Sequence, residues 1–425
     1  MSEARAARGG GVLIGALIID SLGNGLFLPL SLVFFLKLTT VPLAELGVLA
    51  SAATLVTLPV PIWAGTLADK FGALPLVVAA QLIQAAGYLA YPWVRTPWGI
   101  FAAGALVAVG VRFFWSSIFT AIADYADASP GRRSKDSWYA LANAARTAGL
   151  AAGGLITGAA IAQGGKGVYL AIAYGAAASY TVAATTIAVF VRAPRARDPG
   201  ASSATGPLVA LTDRPFLGLV AVNTIFALSS MMLATALPVF ALKGLHAPSW
   251  LAASVLAGNA IAISLLSPPV ASALRRFRRT RVLAAAGALW AAWGLLFAVL
   301  RPGHLALIIP LLIGATLLYT AADIIHAPIS TALAAAVSPV ASRGKYLAAF
   351  QYSFAFASII APVFFTSLTS IGMSVPWIGL AILDGGAIIA ILALERLLGK
   401  SSAAAEMAAH TAAAAAAVNG ALPGT

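Results

Sequence analysis

The chain has no cysteine, and only 13 of its 425 residues are acidic. Without cysteine there is neither a disulfide framework nor a thiolate metal site, and nothing to read about redox compartment. Charged residues of both signs make up 9% of the sequence against 61% hydrophobic. Soluble domains carry roughly 25% charge, so a large water-facing core is excluded and a polytopic membrane protein remains. Long polar stretches are missing too. Twelve spans of ~20 apolar residues each consume most of the chain. What is left holds no nucleotide-binding or catalytic domain, which disfavours ATP-driven transport.

The apolar runs place spans at roughly 11–36, 42–64, 75–94, 97–123, 137–162, 167–191, 215–242, 248–273, 281–300, 304–335, 345–370 and 375–397. The net charge of +13 follows this pattern. With the N-terminus inside, the outer loops hold only Lys37, Arg95, Lys166, Lys243 and Arg301, and Arg112 and Arg146 fall within spans. Every other Lys and Arg lies on the side of the termini, including the run Arg275 to Arg281. This is the positive-inside bias, so the basic excess reports topology, with both termini cytoplasmic, and not nucleic-acid binding. Arg5 and Arg8 precede an apolar run too long for a signal peptide, which reads as a retained first span.

Residues 193–214 are rich in Pro, Gly, Ser and Arg and divide the chain in two. The expected organisation is a cytoplasmic N-terminus (1–10), a six-helix bundle (11–192), a cytoplasmic linker (193–214), a second six-helix bundle (215–398) and an Ala-rich cytoplasmic tail (399–425). Weak internal matches support two repeats. Val33-Phe-Phe-Leu-Lys37 corresponds to Val239-Phe-Ala-Leu-Lys243, and Ser117-Ile-Phe-Thr-Ala121 to Pro328-Ile-Ser-Thr-Ala332.

The segment Gly65-Thr-Leu-Ala-Asp-Lys-Phe-Gly72 interrupts the apolar sequence between the second and third spans. It reads as a short polar turn with a glycine at each end. It resembles the G-x-L-a-D-r-x-G loop of the major facilitator superfamily of secondary transporters, although Ala73-Leu-Pro75 replaces the usual basic residues after it. The resemblance implies an all-α polytopic fold of twelve helices in two six-helix bundles. It also implies that Gly65, Asp69, Lys70 and Gly72 act as a conformational latch, with Asp69 meeting the start of the eleventh span near Arg343 and Lys345.

Ionisable residues inside a bilayer are expensive and mark function by default. Arg112 lies at mid-depth in the fourth span and matches the intramembrane Arg that the family uses in proton coupling. Asp20, Asp323 and Asp384 lie in the first, tenth and twelfth spans. In the family the first, fourth, seventh and tenth spans line the central cavity, which makes Asp20 and Asp323 proton or substrate groups and Asp384 structural. The repeat offset sets Arg112 opposite Asp323, which suggests a charge gate between the halves. His326, one turn from Asp323, is a candidate to share its proton.

The small residues Ala144 to Gly154 in the fifth span permit close helix packing. They resemble the fifth-span motif of family exporters without its Gly-Pro pair; Ala361-Pro362 takes the analogous place in the eleventh span. Arg146 reads equally as a cavity cation or a snorkelling charge. Candidate cavity residues are Asn24, Phe27, Trp115, Arg146, Asn223, Tyr319 and Tyr352, a set that suits an amphipathic solute.

The expected function is proton-coupled efflux of a small amphipathic organic compound by a transporter, not an enzyme. It acts as a monomer in a bacterial cytoplasmic membrane, with no cofactor beyond the proton gradient. One alternative is a proton-coupled importer of an organic acid or sugar. A remote one is an enzyme on lipid-linked substrates, for which Asp124 and Asp127 lack a second acidic cluster.

Overall fold

A computed structural model of the chain describes residues 8–129, 135–163, 165–192, 213–274, 277–338, 343–395 and 397. The expected linker, apart from Asp213 and Arg214, and the Ala-rich tail lie outside the described residues, as do residues 1–7 of the N-terminal segment. The first half contains α1 (Gly10–Phe27), α2 (Ser31–Leu38), α3 (Leu43–Leu55), α4 (Val60–Phe71), α5 (Ala73–Ala90), α6 (Pro97–Asp127), α7 (Lys135–Ala162) and α8 (Lys166–Phe190). The second contains α9 (Arg214–Val239), α10 (Ser249–Leu274), α11 (Arg279–Val299), α12 (Leu305–Val337), α13 (Arg343–Thr369) and α14 (Val375–Glu395). Among the described residues, eleven helices are long and apolar enough to cross a membrane. The broken pair α3 and α4 supplies the twelfth span.

Proline explains where the spans break. The first span, expected as one helix over 11–36, stops at Phe27 and restarts at Ser31, with Pro29 between. The seventh carries Pro238 and passes into a π-helical turn at Phe240–Gly244. Each break lies next to or within a segment of the repeat, Val33–Lys37 in the first half and Val239–Lys243 in the second. A proline cannot donate the helical N–H and clashes with the preceding turn, so each copy kinks near the same end of the bundle.

The second span departs further from expectation. Its first helix ends at Leu55, and a second begins at Val60 with Pro61 in its first turn. That second helix runs straight through Gly65 to Phe71. The polar segment is therefore helix and not turn. The whole reversal falls on Gly72, whose φ of 93° an L side chain rarely adopts. Gly65 has open space where a Cβ would stand, so it permits no close helix approach here.

Helices pack mainly within their own halves: α1 on α7 and α8, α5 on α6 and α8, α9 on α13, and α12 on α10 and α11. The halves meet through α7 with α10, α3 with α13, and α2 with α9. The end of the bundle where α1 starts is the near end, and the opposite one the far end. All the closest contacts between halves then lie toward the far end. A Cβ at Gly154 would stand 3.4 Å from Ala257 Cβ, and one at Gly158 3.2 Å from Ala253 Cβ. Gly47 faces Thr366, and Val363 N–H, next to Pro362, donates to Ser51 Oγ at 3.1 Å.

The cores follow the same division. One apolar cluster runs from the far end of the first half (Phe34, Leu46, Tyr91) through the second half (Phe226, Trp293, Trp377). The near end of the first half has a core of its own around Leu17, Val77, Ile118 and Trp138. The halves are joined at the far end and independent at the near one.

Candidate functional site

At mid-depth, α1 presents Asp20 to the interior of the first half, where it is 4% exposed. Gln81 on α5, fully buried, donates from Nε2 to Asp20 Oδ1 at 2.9 Å. Arg146 on α7 lies within electrostatic reach of the same carboxylate, as do Tyr88 and Tyr180. The Arg146 guanidinium sits 3.9 Å from the centre of the Trp115 ring and 5.4 Å from that of Phe114, a cation–π stack on α6. Its Nε is buried without a hydrogen-bond partner among the described residues. Arg146 is thus half-buried, with its guanidinium held against the α6 aromatics.

Arg112 stands one turn before Trp115 on α6 and makes no salt bridge among the described residues. It is within electrostatic reach of Tyr352 on α13, across the division between halves. Trp115 (45% exposed) and Phe119 (49%) face open space from α6, and Phe356 (42%) from α13, where its ring lies 6.2 Å from that of Tyr352. Arg112 and Tyr352 thus relate α6 to α13 across the division between the halves; the space between these two helices, with aromatic residues on both sides and two arginines on the first, is termed the cleft.

The second half places its candidates differently from the sequence expectation. Asp323 is half-buried and makes no hydrogen bond or ion pair among the described residues; its electrostatic neighbour is Tyr319. The expected pairing of Arg112 with Asp323 is therefore not formed in this conformation. His326 is turned away from Asp323. Its Nε2 hydrogen-bonds Asn223 Oδ1 at 2.9 Å, and its ring is packed between Trp290, Phe226 and Phe354. Asn223 in turn donates to Ser353 Oγ at 2.6 Å, so the three side chains tie α9, α12 and α13 together. Asn223 is buried in that tie and not presented to the cleft. Tyr319 is likewise committed, its hydroxyl donating to the backbone carbonyl of Ser230.

Two further candidates sit away from the arginines. Phe27 is buried in an aromatic cluster with Phe34, Tyr88 and Tyr91. It borders a separate, mainly apolar crevice of about 290 Å³ between α3 and α6. Asn24, half-buried on α1, lies one turn from Asp20 toward that cluster. At the loop, Lys70 Nζ lies 5.2 Å from the Phe71 ring centre. The contact expected between the Asp69 carboxylate and the start of α13 lies outside the described residues.

Three partners escaped the sequence reading: Gln81, Ser229 and Ser353. Ser229 on α9 holds the buried Asp384 of α14, its Oγ 2.8 and 2.9 Å from the two carboxylate oxygens. The only sequence signal for such residues is a polar side chain inside an apolar span, shared with many that merely bond their own helix backbone, as Thr316 does.

Solved structures of the same fold include the nucleoside transporter NupG, 15% identical, with a TM-score of 0.76 over 91% of this chain and 98% of that one. A structure described as giving insight into substrate recognition in proton dependent oligopeptide transporters is 15% identical, with a TM-score of 0.71 over 92% and 99%. A bacterial homologue of the human lysosomal transporter Spinster is 13% identical, with a TM-score of 0.65 over 92% and 96%. These likenesses show the fold. Comparison with curated proteins returned no match. The profile of the Major Facilitator Superfamily matches residues 13–322, most of the chain, and with twelve spans in two halves around a central cleft the chain belongs to that superfamily of transporters.

Proposed function

We propose that the protein is a proton-coupled secondary transporter of a bacterial cytoplasmic membrane, exporting a small amphipathic organic compound by alternating access. The observation that carries this reading is the position of Arg146. One side of it is in reach of the buried carboxylate of Asp20, and the other is stacked on Trp115 at the wall of the cleft. A proton site and a solute-facing surface are thereby joined through one side chain. Proton dependent oligopeptide transporters share this fold.

The positive-inside bias makes the near end cytoplasmic. With the far end closed, the cleft then faces the cytoplasm, the side on which an exporter loads. The aromatic walls suit an amphipathic solute. The membrane potential supplies ~2.3 kcal/mol per charge per 100 mV, enough to drive accumulation from one proton.

A second reading, import of an organic acid, draws on Arg112 and Arg146, neither of which has a salt bridge among the described residues. Inverted vesicles loaded by an imposed proton gradient separate the two. The export reading expects gradient-driven accumulation of amphipathic cations or neutral compounds inside inverted vesicles. Accumulation of organic acids in right-side-out vesicles alone overturns it in favour of import, and transport indifferent to collapse of the gradient overturns both.

A further inference from the structure

Gln81, hydrogen-bonded to Asp20, and Arg146, in electrostatic reach of it, each hold a buried atom that lacks a hydrogen-bond partner among the described residues, and the two atoms want opposite things. Gln81 Oε1 is an acceptor without a donor, and Arg146 Nε is a donor without an acceptor. Buried polar atoms are usually paired, and here an unpaired acceptor and an unpaired donor belong to the two side chains that act on one buried carboxyl group.

The chemistry of the pair supplies it. A carboxamide and a carboxylic acid are complementary: each offers one donor and one acceptor, and face to face they form two antiparallel hydrogen bonds. One of the two is present, from Gln81 Nε2 to Asp20 Oδ1. The second requires a hydrogen on Asp20, because an ionised carboxylate has only acceptors to set against Gln81 Oε1. A guanidinium has the reverse need and is satisfied by the ionised form.

We propose that Asp20 holds its proton in this conformation and donates it to Gln81 Oε1, making Gln81 the positioning residue that registers the protonation state. When the proton leaves Asp20 for water in the cleft, the carboxylate is repelled by Gln81 Oε1 and attracted by Arg146. Asp20 then turns from α5 toward α7, and Arg146 is drawn off Trp115. The side chains of the elements around Asp20 that take part electrostatically are Gln81 and Tyr88 on α5, Arg146 on α7 and Tyr180 on α8. Neither tyrosine supplies a competing positive charge. The inference rests on the proton-coupled reading for its consequence in transport, but the hydrogen-bonded pair stands or falls by itself.

The test is infrared difference spectroscopy on the full-length protein in lipid vesicles, titrated from acid to alkaline pH. Asp20→Asn identifies the protonated carboxyl C=O band belonging to Asp20. Gln81→Leu is expected to move that band to higher frequency, as a hydrogen bond is lost, and to displace its titration midpoint by about tenfold in proton affinity. Gln81→Glu, which in its protonated form at acid pH again offers a donor and an acceptor, is expected to restore the low-frequency position there. A band unmoved by both Gln81 substitutions, or no Asp20 band at any pH, overturns the proposal. If Gln81→Leu fails to assemble, a low-frequency Asp20 band retained in Gln81→Glu supports the pair and its displacement opposes it. A Gln81-sensitive band in a protein whose transport ignores the proton gradient upholds the pair and sinks the transport reading alone.

Discussion

Asp20 and Asp384 are both carboxyl groups buried within spans, one against a carboxamide and the other against a hydroxyl. They differ in what lies beyond. Asp20 is in reach of an arginine that borders the cleft, whereas Asp384 faces the interior of its own half on α14, held by Ser229. Their substitutions should therefore separate. Asp20→Asn keeps the size and an acceptor for Gln81 Nε2, so membrane insertion and thermal stability should survive while proton-driven transport is lost. Wild-type gradient-driven transport by that variant removes Asp20 from the mechanism. Ser229→Ala leaves Asp384 without its donor, at a cost of about 1–3 kcal/mol. Its effect should appear as a lowered melting temperature in detergent, with the pH profile of transport unchanged. Asp20, Arg112 and Asp323 were legible in the sequence because an ionisable group in an apolar run stands out by its solvation cost. Gln81 was not, since it lies 61 residues from Asp20 and its identity as a partner depends on how α1 and α5 pack.

At the scale of the helix, the small residues of the fifth span serve two neighbours from two faces. Gly149 and Gly153 turn to α1: a Cβ on either would stand 2.2 Å from a backbone carbonyl oxygen, that of Ile18 or Leu22. Gly25 answers from α1, where a Cβ would meet Leu150 O at 2.1 Å, and Thr157 Oγ1 donates to Leu26 O at 2.6 Å. Such approach of two backbones is the ordinary use of small residues between membrane helices. Gly154 and Gly158 turn the other way, to α10 of the second half, at ordinary contact distance or a little under. Gly153→Val should therefore abolish the monodisperse peak in size-exclusion chromatography, because two backbones must part. Gly154→Ala should be tolerated, with the melting temperature within a few degrees of wild type. Equal loss in both variants would mean the two faces are not distinct. The glycine-rich pattern announced close packing but not its partners, which the 3.6-residue period alone leaves open. The broken second span was hidden for another reason: hydropathy reads Val56 to Trp63 as continuous, and only Pro59 and Pro61 mark the interruption.

For the whole molecule, alternating access requires that the contacts now closing the far end separate once per cycle. The helix pair α7 and α10 offers a direct way to prevent it. The Cβ positions of Gly154 and Ala257 are 3.4 Å apart, close to the ≈ 3.5–4.5 Å found across disulfides. The chain has no cysteine of its own, so Gly154→Cys with Ala257→Cys introduces a single possible bridge within the chain on a silent background. Oxidation should form the intramolecular bridge and arrest transport. Reduction should restore it, and each single substitution should be insensitive to oxidant. The cleft side chains should stay reachable while the bridge is closed. A third cysteine in place of Trp115 should therefore react with a membrane-impermeant thiol reagent added from the near end, applied after oxidation. If the bridge forms and transport continues at the wild-type rate, the far-end contacts are permanent and the two halves do not rock about the site. If it forms and transport stops, the closed far end is one station of the cycle, and the proton held or lost by Asp20 acts on the cleft open at the opposite end.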